Sequence, residues 1–221
     1  MIQQKARRRL RQILTILQEV YPNAACALHF TNPLELLVAT MLSAQCTDAR
    51  VNRVTQHLFQ HYHTAADYVA VATEQLALEI QSTGFYRQKA RMIRRCCEAL
   101  VHHHNGMVPD TMEALVQLPG VGRKTANVVL GNAFHRAQGI AVDTHVLRLT
   151  QRLELTAATN PNTIEQDLLT LVPRKAWTLF SHLLISHGRT LCKARTPQCR
   201  ACPLGHICRM AQQGDHQGKT C

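Results

Sequence analysis

Two residues of this chain have the type and setting for covalent chemistry. Lys124 closes the run Leu118-Pro-Gly-Val-Gly-Arg-Lys124, and Asp143 follows 19 residues later in Val142-Asp-Thr-His145. Gly120 and Gly122 read as a hairpin too tight for side chains, because glycine takes positive φ without steric cost. The chain then turns into a helix, so the amides of Val121, Gly122 and Arg123 form a seat for a phosphate. An amine beside such a seat can attack an electrophilic carbon next to the bound phosphate. A fixed carboxylate stabilises the positive charge that such a reaction builds. The plainer readings are an ordinary helix–helix turn with a solvated lysine, and an aspartate that caps a helix for about 1 kcal/mol. A capping carboxylate is rigidly placed, so for Asp143 the two roles are compatible.

The nine cysteines divide into two groups. Cys26, Cys46, Cys96 and Cys97 lie in apolar helical patterns and read as buried free thiols. Cys192, Cys199, Cys202 and Cys208 crowd into 17 residues with intervening gaps of 6, 2 and 5, and Cys221 is the last residue. Common zinc sites use two short Cys-x2–4-Cys pairs, so one compact loop with these gaps is unusual for zinc. The N-terminus lacks an apolar signal-like run, and no stretch approaches 18 apolar residues. A cytoplasmic protein without a membrane partner is therefore expected. In a reducing compartment, clustered cysteines point to metal rather than to disulfides.

These groups need elements to hold them, and the pattern is helix after helix without convincing strand alternation. Asn32-Pro-Leu-Glu35 is a helix start, with a cap, proline at the first position and glutamate at the third. A longer helix is expected from about Tyr86 to Asn105. Its apolar face would carry Ala90, Ile93, Cys97, Leu100 and Val101, its basic face Arg91, Arg94 and Arg95, and Gly106 would stop it. Asp110 with Glu113, Asp143 with a Val142–Leu147 staple, and Asn162 with Glu165 mark three further starts. The last helix, about Trp177 to His187, runs into the cysteine loop. An all-α protein is expected. Lys5, Arg7, Arg8, Arg9 and Arg11 read as the exposed face of a first helix, with Leu10, Ile13, Leu14 and Leu17 inside. His102, His103 and His104 read as a solvated helix end, and His145 as packing beside Asp143.

The formal net charge of +11 favours a polyanionic partner, though a basic RNA-binding protein would show the same balance. In their order, the hairpin run, Val142–His145 and the cysteine loop resemble the endonuclease III family of helix–hairpin–helix base-excision glycosylases. The likeness runs from about Thr31 to Cys208. It implies two helical lobes with a DNA cleft between them. Residues 27–136 would form a six-helix barrel ending in the helix–hairpin–helix, and residues 1–26 with 137–221 an iron–sulfur lobe.

The resemblance also implies the activity, a monomeric DNA glycosylase and AP lyase acting on double-stranded DNA with oxidised pyrimidines or abasic sites. Lys124 would trap C1′ as a Schiff base that permits β-elimination, and Asp143 would assist base loss. A helix N-terminus and partial desolvation would both disfavour the ammonium form of that lysine. The four clustered cysteines would ligate a [4Fe–4S] cluster. Gly120, Val121, Gly122 and Arg123 would meet the DNA backbone, as would Lys193 and Arg195 in the cysteine loop, with Arg200 nearby. Gln45, in Ser43-Ala-Gln-Cys-Thr-Asp48, would fill the space left by a flipped nucleotide. Phe85, in Thr83-Gly-Phe-Tyr86, would wedge between bases where relatives have leucine. Read without the resemblance, Gln45 is a polar helix end and Phe85 a core aromatic. Two other readings remain. A monofunctional mismatch glycosylase of the same superfamily would usually lack the lysine, and a non-catalytic zinc-containing DNA-binding module would not need the Lys124–Asp143 pair.

Overall fold

A computed structural model describes residues 2–212, with side chains from residue 6 onward; the side chain of Lys5 and all of Cys221 lie outside the described residues. The described residues are helical with no strand. By contact the chain divides into two units, Cys26–Gln138 and the residues up to Ala25 together with those from Gly139 on.

The first unit carries helices α2 (Pro33–Leu42), α3 (Asp48–Leu58), α4 (Ala65–Ala70), α5 (Thr73–Glu79), α6 (Tyr86–His104), α7 (Met112–Leu115) and α8 (Arg123–Asn132). They enclose a core that includes Leu36, Leu42, Leu58, Tyr68, Ile93, Leu100 and Leu130. At the start of α2 the Asn32 side chain accepts from the Glu35 amide, and Glu35 reaches back to the Thr31 N–H, as the local pattern requires. Helix α6 buries Ala90, Ile93, Cys97 and Leu100, but its buried face also takes in Cys96 and Lys89. Val101 is exposed, against expectation, because the buried stripe drifts toward Cys96. Helix α6 ends at Asn105 and Gly106, both left-handed, with the Gly106 amide on Leu100 O.

The second unit has α1 (Ile2–Val20), α9 (Thr144–Arg152), α10 (Pro161–Leu171) and α11 (Trp177–Thr190). Leu10, Ile13 and Leu17 of α1 pack with Val146, Leu149, Ile164, Leu168, Phe180 and Leu184.

Two of the expected caps sit elsewhere. Thr111, not Asp110, caps α7, while Asp110 pairs with Arg136. Asn160, followed by Pro161, caps α10 in place of Asn162, and Glu165 is buried, accepting from the Ile140 amide at 3.3 Å. Cys26 and Cys46 are only partly buried and lie outside helices, unlike the fully buried Cys96 and Cys97.

Candidate active site

The hairpin between α7 and α8 is anchored by Leu118 and Val121, both buried, with the Val121 amide on Leu118 O. Gly120 is left-handed (φ 79°), and a Cβ there would meet Met41 Cε at 2.9 Å and Met92 Cβ at 3.3 Å. Only glycine fits that position, on both grounds. Gly122 differs from the expectation. Its backbone is extended (φ −93°), and a Cβ would meet nothing within 4 Å. The fold itself does not demand a glycine there. As the N-cap of α8, Gly122 brings no side-chain oxygen to the amides of the first turn. Those amides, under an open surface, suit an outside anion. Lys124 is the second residue of α8 and is exposed, so neighbouring side chains do not supply the expected desolvation.

Asp143 is the N-cap of α9. Its Oδ1 accepts from the amides of His145 and Val146, each at 2.8 Å, which leaves Oδ2 outside the cap. His145 lies beneath it, with Nδ1 3.1 Å from Arg148 Nη2. Burial lowers the pKa of His145; Asp143 opposes that shift, while Arg148 and Arg189 add to it. His145 packs against Gly188 and Arg148, in keeping with the packing role expected of it. Lys124 and Asp143 belong to different units.

Gln45 and Phe85 share an unusual backbone. Both are non-glycine residues in the left-handed region, at φ 53° and 48°. That conformation costs roughly 1–2 kcal/mol per residue. Phe85 is 63% exposed, which removes the reading of a core aromatic. Gln45 is also exposed, in the turn that follows α2. The two side chains line one recess, together with Met41, Met92, Gly120 and Lys89.

In the second unit, Cys192, Cys199, Cys202 and Cys208 line a single apolar recess with Leu149, Leu153, Leu191 and Leu204. Arg152 Nη1 donates to Cys192 Sγ at 3.2 Å, and its guanidinium also holds the carbonyls of Lys193 and Ala194. Arg148 Nη2 holds the carbonyls of Gly188 and Cys192. His187 Nε2 lies 3.4 Å from Cys202 Sγ, and its Nδ1 meets the Tyr21 hydroxyl at 3.1 Å. Burial pushes the His187 pKa down to about 4. Burial raises the pKa of the Cys202 thiol, as do Cys192 and Cys208. Four thiols in one apolar recess, with a guanidinium and an imidazole turned to their sulfurs, are a donor set that suits an iron–sulfur cluster. Among the described residues, no group of three or more His, Cys, Asp or Glu is drawn in to the spacing of a single metal ion. Lys193, Arg195 and Arg200 are exposed on this loop.

Sequence reasoning missed Lys89, Arg148, Arg152 and His187. The signal for the arginines was present. Arg148 and Arg152 stand four apart on α9 and so share a face, which meets the cysteine loop.

Residues 38–174 match the HhH-GPD superfamily of base excision DNA repair proteins. The chain is 50% identical to the endonuclease III of a Synechocystis species over 206 residues, 93% of this chain and 94% of the relative. The fold superposes on an endonuclease III in a non-covalent complex with DNA with a TM-score of 0.91, at 44% identity, covering 96% of this chain and 99% of that one. An endonuclease III trapped as a covalent intermediate with DNA, an estranged-adenine complex, gives 0.89 at 45% identity, covering 94% and 97%. The chain belongs to the endonuclease III family.

Proposed function

We propose that this protein is a bifunctional DNA glycosylase and AP lyase of base excision repair, which releases oxidised pyrimidines from duplex DNA and cuts the strand through a lysine Schiff base. One observation carries this reading. Lys124 stands exposed beside uncapped helix amides, in a chain 45% identical to an endonuclease III trapped covalently on DNA.

Each proposed role draws on the geometry of its group. The α8 amides take a phosphate of the damaged strand, and Gly122 leaves room for close backbone approach. The neutral amine of Lys124 then bonds to C1′ as the damaged base departs. Asp143, held by two amides through Oδ1, keeps its charge in place to stabilise the positive charge on the sugar. Opening of the sugar ring then gives an imine: the nitrogen lone pair forms the C1′=N bond as C1′–O4′ breaks, and O4′ takes up a proton as a hydroxyl. The imine makes the C2′ proton acidic, and its removal expels the 3′ phosphate as the leaving group. Gln45 and Phe85 act on the duplex, one filling the vacated space and the other separating bases. Cys192, Cys199, Cys202 and Cys208 would hold a [4Fe–4S] cluster. When bound, the cluster ties four points of one loop together, and Lys193 and Arg195 ride on that loop toward DNA phosphates.

Incubation with abasic duplex DNA and borohydride tests the reading. The wild type is expected to form a covalent adduct. Lys124→Gln is expected to bind the same duplex and form none. Undiminished trapping by Lys124→Gln would place the nucleophile elsewhere, with Lys89 the first alternative to examine.

A further inference from the structure

Lys89 is a lysine where the fold has no packing need for one. It lies in the first turns of α6 and is only 7% exposed. Its Nζ donates to Leu42 O and to Thr83 O, each at 2.8 Å. Leu42 ends α2, just before the turn that carries Gln45; Thr83 stands two residues before Phe85. One ammonium therefore bonds the roots of both loops whose tips enter the duplex in the proposed function.

The energetics argue against a purely structural role. Burying an ammonium costs several kcal/mol, and carbonyl acceptors compensate it less fully than a carboxylate would. The burial lowers the Lys89 pKa, opposed by the neighbouring Cys46 sulfur. A methionine would fill the same space without that cost. The lysine supplies what methionine lacks, two directed bonds to segments 41 residues apart. The Leu42 carbonyl lies at the C-terminal end of α2, where the helix dipole favours a cation. Each tip is also held in the left-handed region, a conformation that persists only where the surroundings fix it.

We propose that Lys89 is a positioning residue for duplex opening, fixing Gln45 and Phe85 in register by bonding the carbonyls of Leu42 and Thr83. This rests on the reading that Gln45 and Phe85 enter the duplex. Lys89 acts through those carbonyls, which take two of its three ammonium protons.

The test compares Lys89→Met, Phe85→Ala and the double variant in single-turnover assays. One substrate carries thymine glycol opposite adenine and the other a preformed abasic site, where opening is already cheap. Lys89→Met is expected to lose roughly tenfold on the paired lesion, the equivalent of one modest interaction, and little on the abasic site. Its melting temperature is expected within a few degrees of wild type, since water can reach both carbonyls from the recess. The double variant is expected to match Phe85→Ala, because Lys89 acts through the loop tips. Equal losses on both substrates, no loss on either, additive losses in the double variant, or a Lys89→Met chain that does not fold would each overturn the proposal. A deficit in Phe85→Ala without one in Lys89→Met defeats this inference alone. No deficit in Phe85→Ala defeats the wedge reading beneath it.

Discussion

The two hairpin glycines look alike in sequence, yet their surroundings predict opposite consequences for alanine. At Gly120 an alanine must stay left-handed, at roughly 1–2 kcal/mol. Its Cβ also lands 2.9 Å from Met41 Cε, the movable end of a side chain, and 3.3 Å from Met92 Cβ, which α6 holds. Yielding to the second contact needs a shift of a few tenths of an ångström, so the total is about 2–3 kcal/mol. For a chain of this size that lowers the melting temperature by roughly 4–12 °C. At Gly122 alanine meets nothing and keeps an ordinary backbone, so the stability change stays under about 1 kcal/mol, the usual effect of a poorer N-cap. The methyl instead occupies the open surface over the α8 amides. Losing one amide–phosphate hydrogen bond removes about 1.5–3 kcal/mol of binding, roughly ten- to a hundredfold in Kd. Thermal unfolding and titration with a duplex bearing a tetrahydrofuran abasic analogue, at one salt concentration, separate the two. Wild-type affinity in Gly122→Ala would show that no phosphate sits on these amides. A Gly120→Ala chain as stable as wild type would refute the steric argument.

Asp143→Asn keeps the Oδ1 that accepts from the His145 and Val146 amides, so it should fold and bind DNA while base release falls by roughly 10²-fold or more. Near-normal release, measured by single-turnover kinetics, would leave Asp143 a cap only. Protein purified without air should be yellow-brown and hold about four irons per chain with no zinc, as a cluster on four thiolates requires. Stoichiometric zinc in place of iron would restore the DNA-binding module.

The legible parts of the fold were those decided within one or two turns. Asn32-Pro-Leu-Glu35 and Asp143 satisfy amides within four residues, and both caps form where the sequence pattern put them. The misread caps failed because the same residue types offered two registers. Asn160-Pro161 and Asn162 compete for one helix start, and proline, which fits the first turn without cost, decides for Asn160. Glu165 is then left on an inward face, where the Ile140 amide arriving from 25 residues away takes it up. Val101 and Gly122 were misjudged for a related reason. Helical period gives a stripe but not its edges, and a glycine's type does not reveal whether anything lies above it. The candidate site divides in the same way. Lys124, Asp143 and the cysteine gaps are local signals, whereas Lys89 in Tyr86-Arg-Gln-Lys89 reads as one more cation on a basic helix. Its burial depends on the end of α2, 47 residues away at Leu42, meeting the turn at Thr83 that leads into α6.

The contrast between the two lysines bears on how the reaction is confined. By proton affinity alone Lys89 would be the natural nucleophile, since burial disfavours its ammonium. The proposed reaction gives the work to Lys124 instead. Lys89 is only 7% exposed and is held by two carbonyls, whereas Lys124 is exposed. Lys124 is exposed, so in the proposed reaction the dry setting that favours amine attack would come from the DNA. In the proposed reaction, an amine left in water away from DNA and covered on it would react only where a sugar lies against the α8 amides. Free reactive aldehydes offer no phosphate to that seat. Borohydride trapping should accordingly reach completion on an abasic duplex at concentrations where an abasic sugar lacking its flanking phosphates leaves the protein unmodified. Equal labelling by the two would mean that the strand contributes no more than its aldehyde.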